Sequence, residues 1–136
     1  MAETITFSQA EQKRRGDLAY DGKTYRVFLV ENGGVLDAED TASAWLAEEL
    51  PAANGYAAVT GTITSGTGAW SGVNLRYEFP AIVASFTGDG TGFTYDTVVV
   101  RIGSETSVVG IIEESPPITL LPGQTQTYSI TLGDRF

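Results

Sequence analysis

Ile118-Thr119-Leu120-Leu121-Pro122-Gly123-Gln124-Thr125-Gln126-Thr127-Tyr128-Ser129-Ile130-Thr131-Leu132 holds two runs of strand-forming residues around one turn. Proline fixes a negative φ and glycine accepts a positive one, so Pro122-Gly123 suits the two central positions of a type II turn. Beyond it, Tyr128, Ile130 and Leu132 alternate with Thr127, Ser129 and Thr131, the period-two pattern of a strand with one buried face. The unit reads as a terminal hairpin or as a turn that crosses between sheets.

The same pattern extends upstream. Residues 56–63, 73–79, 81–87, 93–102, 107–113, 118–120 and 125–132 are runs of β-branched and aromatic residues separated by glycine-rich turns. Short strands at this spacing predict an all-β fold, a β-sandwich or jelly roll, with a closed barrel as the other arrangement. Pro80 marks a bend or an edge, and Pro116-Pro117 is placed at the start of the next-to-last strand, because proline cannot donate to a ladder.

Toward the N-terminus, Leu18-Ala19-Tyr20 and residues 24–30 flank Asp21-Gly22, which predicts a β-hairpin with a tight primed turn. Asn32-Gly33-Gly34 ends that strand. Between about residues 40 and 50 the period changes. Ala42, Trp45, Leu46 and Glu49 fall at helical spacing, Asp40 is positioned to cap, and Pro51 stops the run, so one short helix is expected there. Its Trp45 and Leu46 should pack over one end of a sheet. Residues 4–8 alternate again, which puts Ile5 and Phe7 on one face of a short N-terminal strand. With the polar segment 9–17 behind it, residues 1–16 read as an arm able to pair with its own sheet or with a neighbouring subunit.

A chain of 136 residues, 42% hydrophobic, suffices for one core, so residues 1–136 are read as one domain. It contains no cysteine, which removes any disulfide framework. The 17 acidic and 8 basic residues give a formal charge of -9. Lys13, Arg14, Arg15, Lys23 and Arg26 lie early; from Val27 onward only Arg76, Arg101 and Arg135 face 13 carboxylates. Such a surface repels phosphate backbones, so neither nucleic acid nor an anionic membrane is expected as a partner. Lys13-Arg14-Arg15 reads either as a docking point for an acidic protein surface or as a solvated turn. No apolar run approaches the roughly 20 residues of a membrane span. The first residues lack the pattern of a secretory signal, so synthesis in a cytoplasm is expected.

Catalysis is not expected. Without histidine or cysteine the commonest general base, thiol nucleophile and transition-metal ligands are missing. Lys13 and Lys23 sit near no serine nucleophile motif. The carboxylate pairs Glu48/Glu49, Glu113/Glu114 and Asp89/Asp96 are what remains for glycosidase-type chemistry, and neighbours on a strand point to opposite faces. Asp37, Glu39 and Asp40 offer oxygen ligands suited to calcium, but lack EF-hand spacing and sit where they favour a helix N-terminus; no cofactor is expected. Trp70, in the glycine-rich stretch Gly66-Thr67-Gly68-Ala69-Trp70-Ser71-Gly72, is the candidate ligand contact: a stacking platform for a sugar if it lies exposed in a loop.

The block Gly92-Phe93-Thr94-Tyr95-Asp96-Thr97-Val98-Val99-Val100-Arg101-Ile102-Gly103, with Val108-Val109-Gly110-Ile111-Ile112-Glu113-Glu114-Ser115-Pro116-Pro117 and Leu121-Pro122-Gly123-Gln124-Thr125-Gln126-Thr127-Tyr128, resembles small structural proteins of tailed phages, notably those of cyanobacteria. The helix and Asn54-Gly55-Tyr56 are similar as well. The resemblance implies a non-enzymatic virion component: a capsid cement or decoration protein, or a tail, neck or fibre piece. Its expected partner is the major capsid protein or another virion protein, with self-assembly, guessed as a trimer, through Ile5, Phe7, Lys13, Arg14 and Arg15. No functional residue carries over from that family. A carbohydrate-binding β-sandwich module is the alternative.

Overall fold

A computed structural model describes residues 3 and 5–134, the side chain of Asp134 excepted. The elements run α1 (Gln9–Tyr20), β1 (Thr24–Val30), α2 (Ala42–Ala47), β2 (Val59–Thr62), β3 (Ala69–Ser71), β4 (Arg76–Glu78), β5 (Ile82–Thr87), β6 (Phe93–Ile102), β7 (Gly110–Leu120), β8 (Thr125–Ile130) and β9 (Gly133–Asp134). The fold is mostly β and sandwich-like, as the strand pattern predicts. Its antiparallel sheets have the orders β2-β1-β6-β7, β3-β4-β9 and β5-β8.

The described residues fall into two compact units. One draws on segments 1–23, 63–82 and 129–136, the other on 24–62 and 83–128. In sequence, the segments of the first unit hold six cations and six carboxylates, whereas those of the second hold two cations and eleven carboxylates. The whole formal charge of -9 therefore belongs to the second unit.

In the first unit the N-terminal segment departs from expectation. Residues 5–8 form no strand, and Thr4 lies outside the described residues. Ser8 instead caps α1, its hydroxyl accepting the Glu11 N–H at 3.1 Å. The residues read as the first strand of a hairpin, Leu18 to Tyr20, are the last turn of that helix. Asp21-Gly22 still turns the chain, with Gly22 at φ +69° and the Lys23 N–H reaching the Tyr20 carbonyl at 3.2 Å. With Asp21 at φ −58° and ψ 129° this is a type II turn leading out of a helix, not a primed hairpin turn.

Strand β3 pairs with β4 through residues 72–75, so Val73, expected to open a strand, sits 92% exposed in the connecting turn. Tyr77 and Phe79 form an edge-on pair at 5.5 Å, and Tyr20 meets Phe79 at 5.4 Å.

In the second unit, β1 lies between β2 and β6, and Val27 to Val30 are fully buried. A strand covered on both faces needs a continuous apolar run, which Val27-Phe28-Leu29-Val30 supplies. Helix α2 packs where expected: Ala42 and Trp45 join Phe28, Val30, Val99 and Val108 in one buried cluster. Trp45 satisfies its indole N–H on the Asp37 carbonyl at 3.1 Å. The helix is capped by Thr41, whose Oγ1 accepts the Ala44 N–H at 3.2 Å, and not by Asp40. Asp40 closes the preceding loop by accepting the Asp37 N–H at 2.8 Å.

Aromatic rings tie β6 to β5 and β8. Tyr56 stacks on Phe86 at 6.2 Å and meets Phe93 edge-on at 5.7 Å, and Tyr128 lies edge-on to both Phe86 and Tyr95. Residues 110–113 of the run 107–113 and residues 118–120 belong to a single strand, β7, so Pro116-Pro117 lies inside a strand and does not begin one. Proline is tolerated there because the ladder is interrupted: Thr97 pairs with Glu113 and Tyr95 with Ile118, leaving residues 114–117 bulged opposite Asp96. Pro122-Gly123 makes the expected type II turn, with Gly123 at φ +84° and the Gln124 N–H on the Leu121 carbonyl at 3.0 Å. It crosses between sheets, because β7 pairs with β6 and β8 with β5.

Candidate functional site

The five residues expected at an interface lie in the first unit, on or just before α1. Ile5 is exposed, and Phe7 carries the Arg15 guanidinium 3.8 Å from its ring centroid. None of the three basic side chains is an unattached charge. Lys13 bonds Asp17 at 2.8 Å, and Arg14 and Arg15 converge on Glu11 at 2.6 and 3.0 Å. These spacings of three and four residues stabilise a helix that is polar all round. The Arg14 and Arg15 guanidiniums hold the Glu11 carboxyl down at about 2. Lys13 also donates to the Tyr77 hydroxyl at 3.3 Å, and that hydroxyl donates to Asp17 at 2.8 Å. The cluster thus fastens α1 to β4, and Lys13-Arg14-Arg15 is a helical segment, not a solvated turn.

Trp70 is not in a loop. It stands in β3, half-buried, directly opposite Tyr77, and directly opposed residues share a sheet face. The glycine-rich character of its surroundings has a packing cause. The Tyr77 ring fills the space that a side chain on Gly68 would need.

The carboxylate pairs separate into structural tasks in the second unit. Glu49 takes both the Arg26 guanidinium and, at 2.7 Å, the Tyr56 hydroxyl. Asp96 accepts the Asn32 and Gly33 N–H groups at 2.7 and 2.8 Å, closing the turn after β1. Asp89 accepts the Gly90 N–H at 2.8 Å. Glu114, carried inward by the bulge, accepts from Tyr128 at 2.9 Å, and Tyr128 shares a 2.7 Å hydrogen bond with the buried Tyr95. Burial, then the Tyr95 and Glu114 contacts, push the Tyr128 phenol far above its ordinary range.

Among the depressions on this unit, two are lined by residues singled out above. One, about 320 Å³, is lined by Asp37, Asp96, Glu113 and Glu114 among others. Asp37 spends Oδ1 on the Glu39 N–H at 2.9 Å, and among the described residues no group of three carboxylates is arranged to hold a metal ion. The other, about 390 Å³, lies across β2, β1 and β6, lined by Thr24, Arg26, Thr60, Thr62, Arg101 and Gly103 with their neighbours. Arg26 and Arg101 are directly opposed across the β1–β6 ladder, far apart in sequence and therefore not legible as a pair.

No protein-family model, curated protein or solved structure matches the chain. No helix of the described residues is long and apolar enough to cross a membrane.

Proposed function

We propose that the chain is a non-enzymatic structural protein of a tailed-phage virion, a cement or decoration protein that binds the major capsid protein and stabilises the head. Support comes from the resemblance of the segments that became β6, bulged β7 and the Pro122-Gly123 turn, and from the employment of the chain's carboxylates in its own architecture. The observation that carries the reading is the edge position of the 11-residue β7. Its outer side pairs with no strand among the described residues, and an open edge accepts a strand from a neighbour. The proline pair and Glu113-Glu114 in the same strand oppose indiscriminate pairing, which suits an edge reserved for one partner.

Light scattering across a concentration series, for the full chain and for one lacking residues 1–8, tests self-assembly. Co-sedimentation with purified phage heads tests the partner. The cement reading expects a closed oligomer, a trimer, that sediments with heads. A monomer that stays in the supernatant overturns it, and sedimentation with tails alone replaces it by a tail or neck role.

A further inference from the structure

The second unit holds two cations, Arg26 and Arg101, and places them face to face on adjacent strands. Like charges directly opposite in a ladder are destabilising unless an anion stands between or beside them. Arg26 is compensated by Glu49 through Nη2. Arg101 donates Nε to the Glu105 carbonyl at 3.2 Å, a neutral acceptor. A guanidinium carries five N–H donors, so both forks retain donors beyond these contacts.

What surrounds the pair is specific. Thr24 opposes Thr62 and Arg26 opposes Thr60, so by the two-residue period all three threonines share the arginines' sheet face. The far end of that face, with Phe28, Val30 and Val99, is covered by Ala42 and Trp45. The near end is the 390 Å³ depression, with its threonines exposed and Gly103 presenting no side chain. Two guanidiniums match a carboxylate, and three hydroxyls at strand spacing match a polyol. Tyr25 is the one aromatic residue in the lining, and by the two-residue period it projects from the opposite sheet face, while the unit's eleven carboxylates repel a polyanion far more than a single charge.

We propose that this half-open sheet face binds a monoanionic sugar of the uronic-acid type, its carboxylate between Arg26 and Arg101 and its hydroxyls on Thr24, Thr60 and Thr62. The site is independent of any role on a virion.

The test is an NMR titration of the full chain with glucuronate, using glucose as the uncharged analogue, acetate as the carboxylate without hydroxyls, and polyglutamate as the acidic peptide. Glucuronate should give saturable shifts at Thr24, Thr60 and the Arg26 and Arg101 Nε–H signals, with affinity on the order of tenfold above glucose and acetate, since charged hydrogen bonds are the stronger ones. Arg101→Gln should reduce glucuronate to the level of glucose. Unchanged spectra with glucuronate, equal affinity for acetate, or tighter binding of polyglutamate would each overturn the proposal. If Arg101→Gln does not fold, the Nε–H shifts of the unaltered chain decide the matter alone.

Discussion

The Tyr56 hydroxyl stands between two partners, accepting the Leu29 N–H at 3.1 Å and donating to the Glu49 carboxylate at 2.7 Å. Burial, reinforced by the Glu49 bond, raises this phenol well above its ordinary range, so it remains a donor at any pH where the protein is handled. Tyr56→Phe keeps the ring against Phe86 and Phe93 but leaves a buried amide without its acceptor. A loss of about 1–3 kcal/mol is expected, read as a lower urea midpoint at unchanged slope. A midpoint that does not move would show that the hydroxyl bridge contributes nothing.

Asp96 links stability to pH. Burial raises its carboxyl, but the Asn32 and Gly33 amides and the Thr97 hydroxyl together outweigh burial and leave it below the ordinary 3.8. A group whose folded value is depressed adds stability above its unfolded value and loses it as pH falls through the folded one. Asp96→Asn should therefore be less stable than the natural chain at pH 7, with the gap closing below about pH 4. Denaturation at a series of pH values measures this, and a gap constant down to pH 3 contradicts it.

Gly92 and Gly123 separate two costs of adding a methyl group. Both have positive φ, +77° and +84°, yet space around Gly123 is open, whereas a Cβ on Gly92 runs into the Leu120 carbonyl. Gly123→Ala should cost about 1–2 kcal/mol, the left-handed penalty. Gly92→Ala should cost a further 1–3 kcal/mol or so from overpacking. Thermal melts of the two variants rank them, and equal melting temperatures would refute the steric share.

Trp45, fully buried, fixes α2 over the sheet. Trp45→Ala should lose about 3–5 kcal/mol. Hydrogen exchange should localise the loss to Val30, Val99 and Val108, its cluster mates; faster exchange spread evenly over the chain would argue against a local role.

Elements built from apolar pattern were legible in the sequence. Strand β6 runs from Phe93 to Ile102 as predicted, because a ten-residue run of β-branched and aromatic residues leaves little alternative. Helix α1 escaped because it buries only Gln12 and Gly16 and so has no apolar stripe to detect. The signal present was of another kind: Ser8 followed three residues later by Glu11, the signature of a helix start, and acids spaced three and four residues from Arg14, Arg15 and Lys13. Trp70 was misplaced because glycines read as loop chemistry, when one of them makes room for Tyr77. The opposed arginines belong to strands that meet only in the fold, and no local pattern marks them.

The bulge at residues 114–117 also acts as a phase shifter. Counting from Glu113 to Ile118 spans an odd number of positions, while their partners Thr97 and Tyr95 are two apart, so the inward-facing set changes parity along one continuous strand. Upstream and downstream halves of β7 are thereby decoupled in length. Excising residues 115–117 would leave Glu113 and Ile118 two positions apart, in step with their partners and with every other pairing unchanged. Insertions among residues 115–117 would enlarge a loop without shifting either ladder, so variants of this fold can differ in length there while Glu114 keeps its place beside Tyr128.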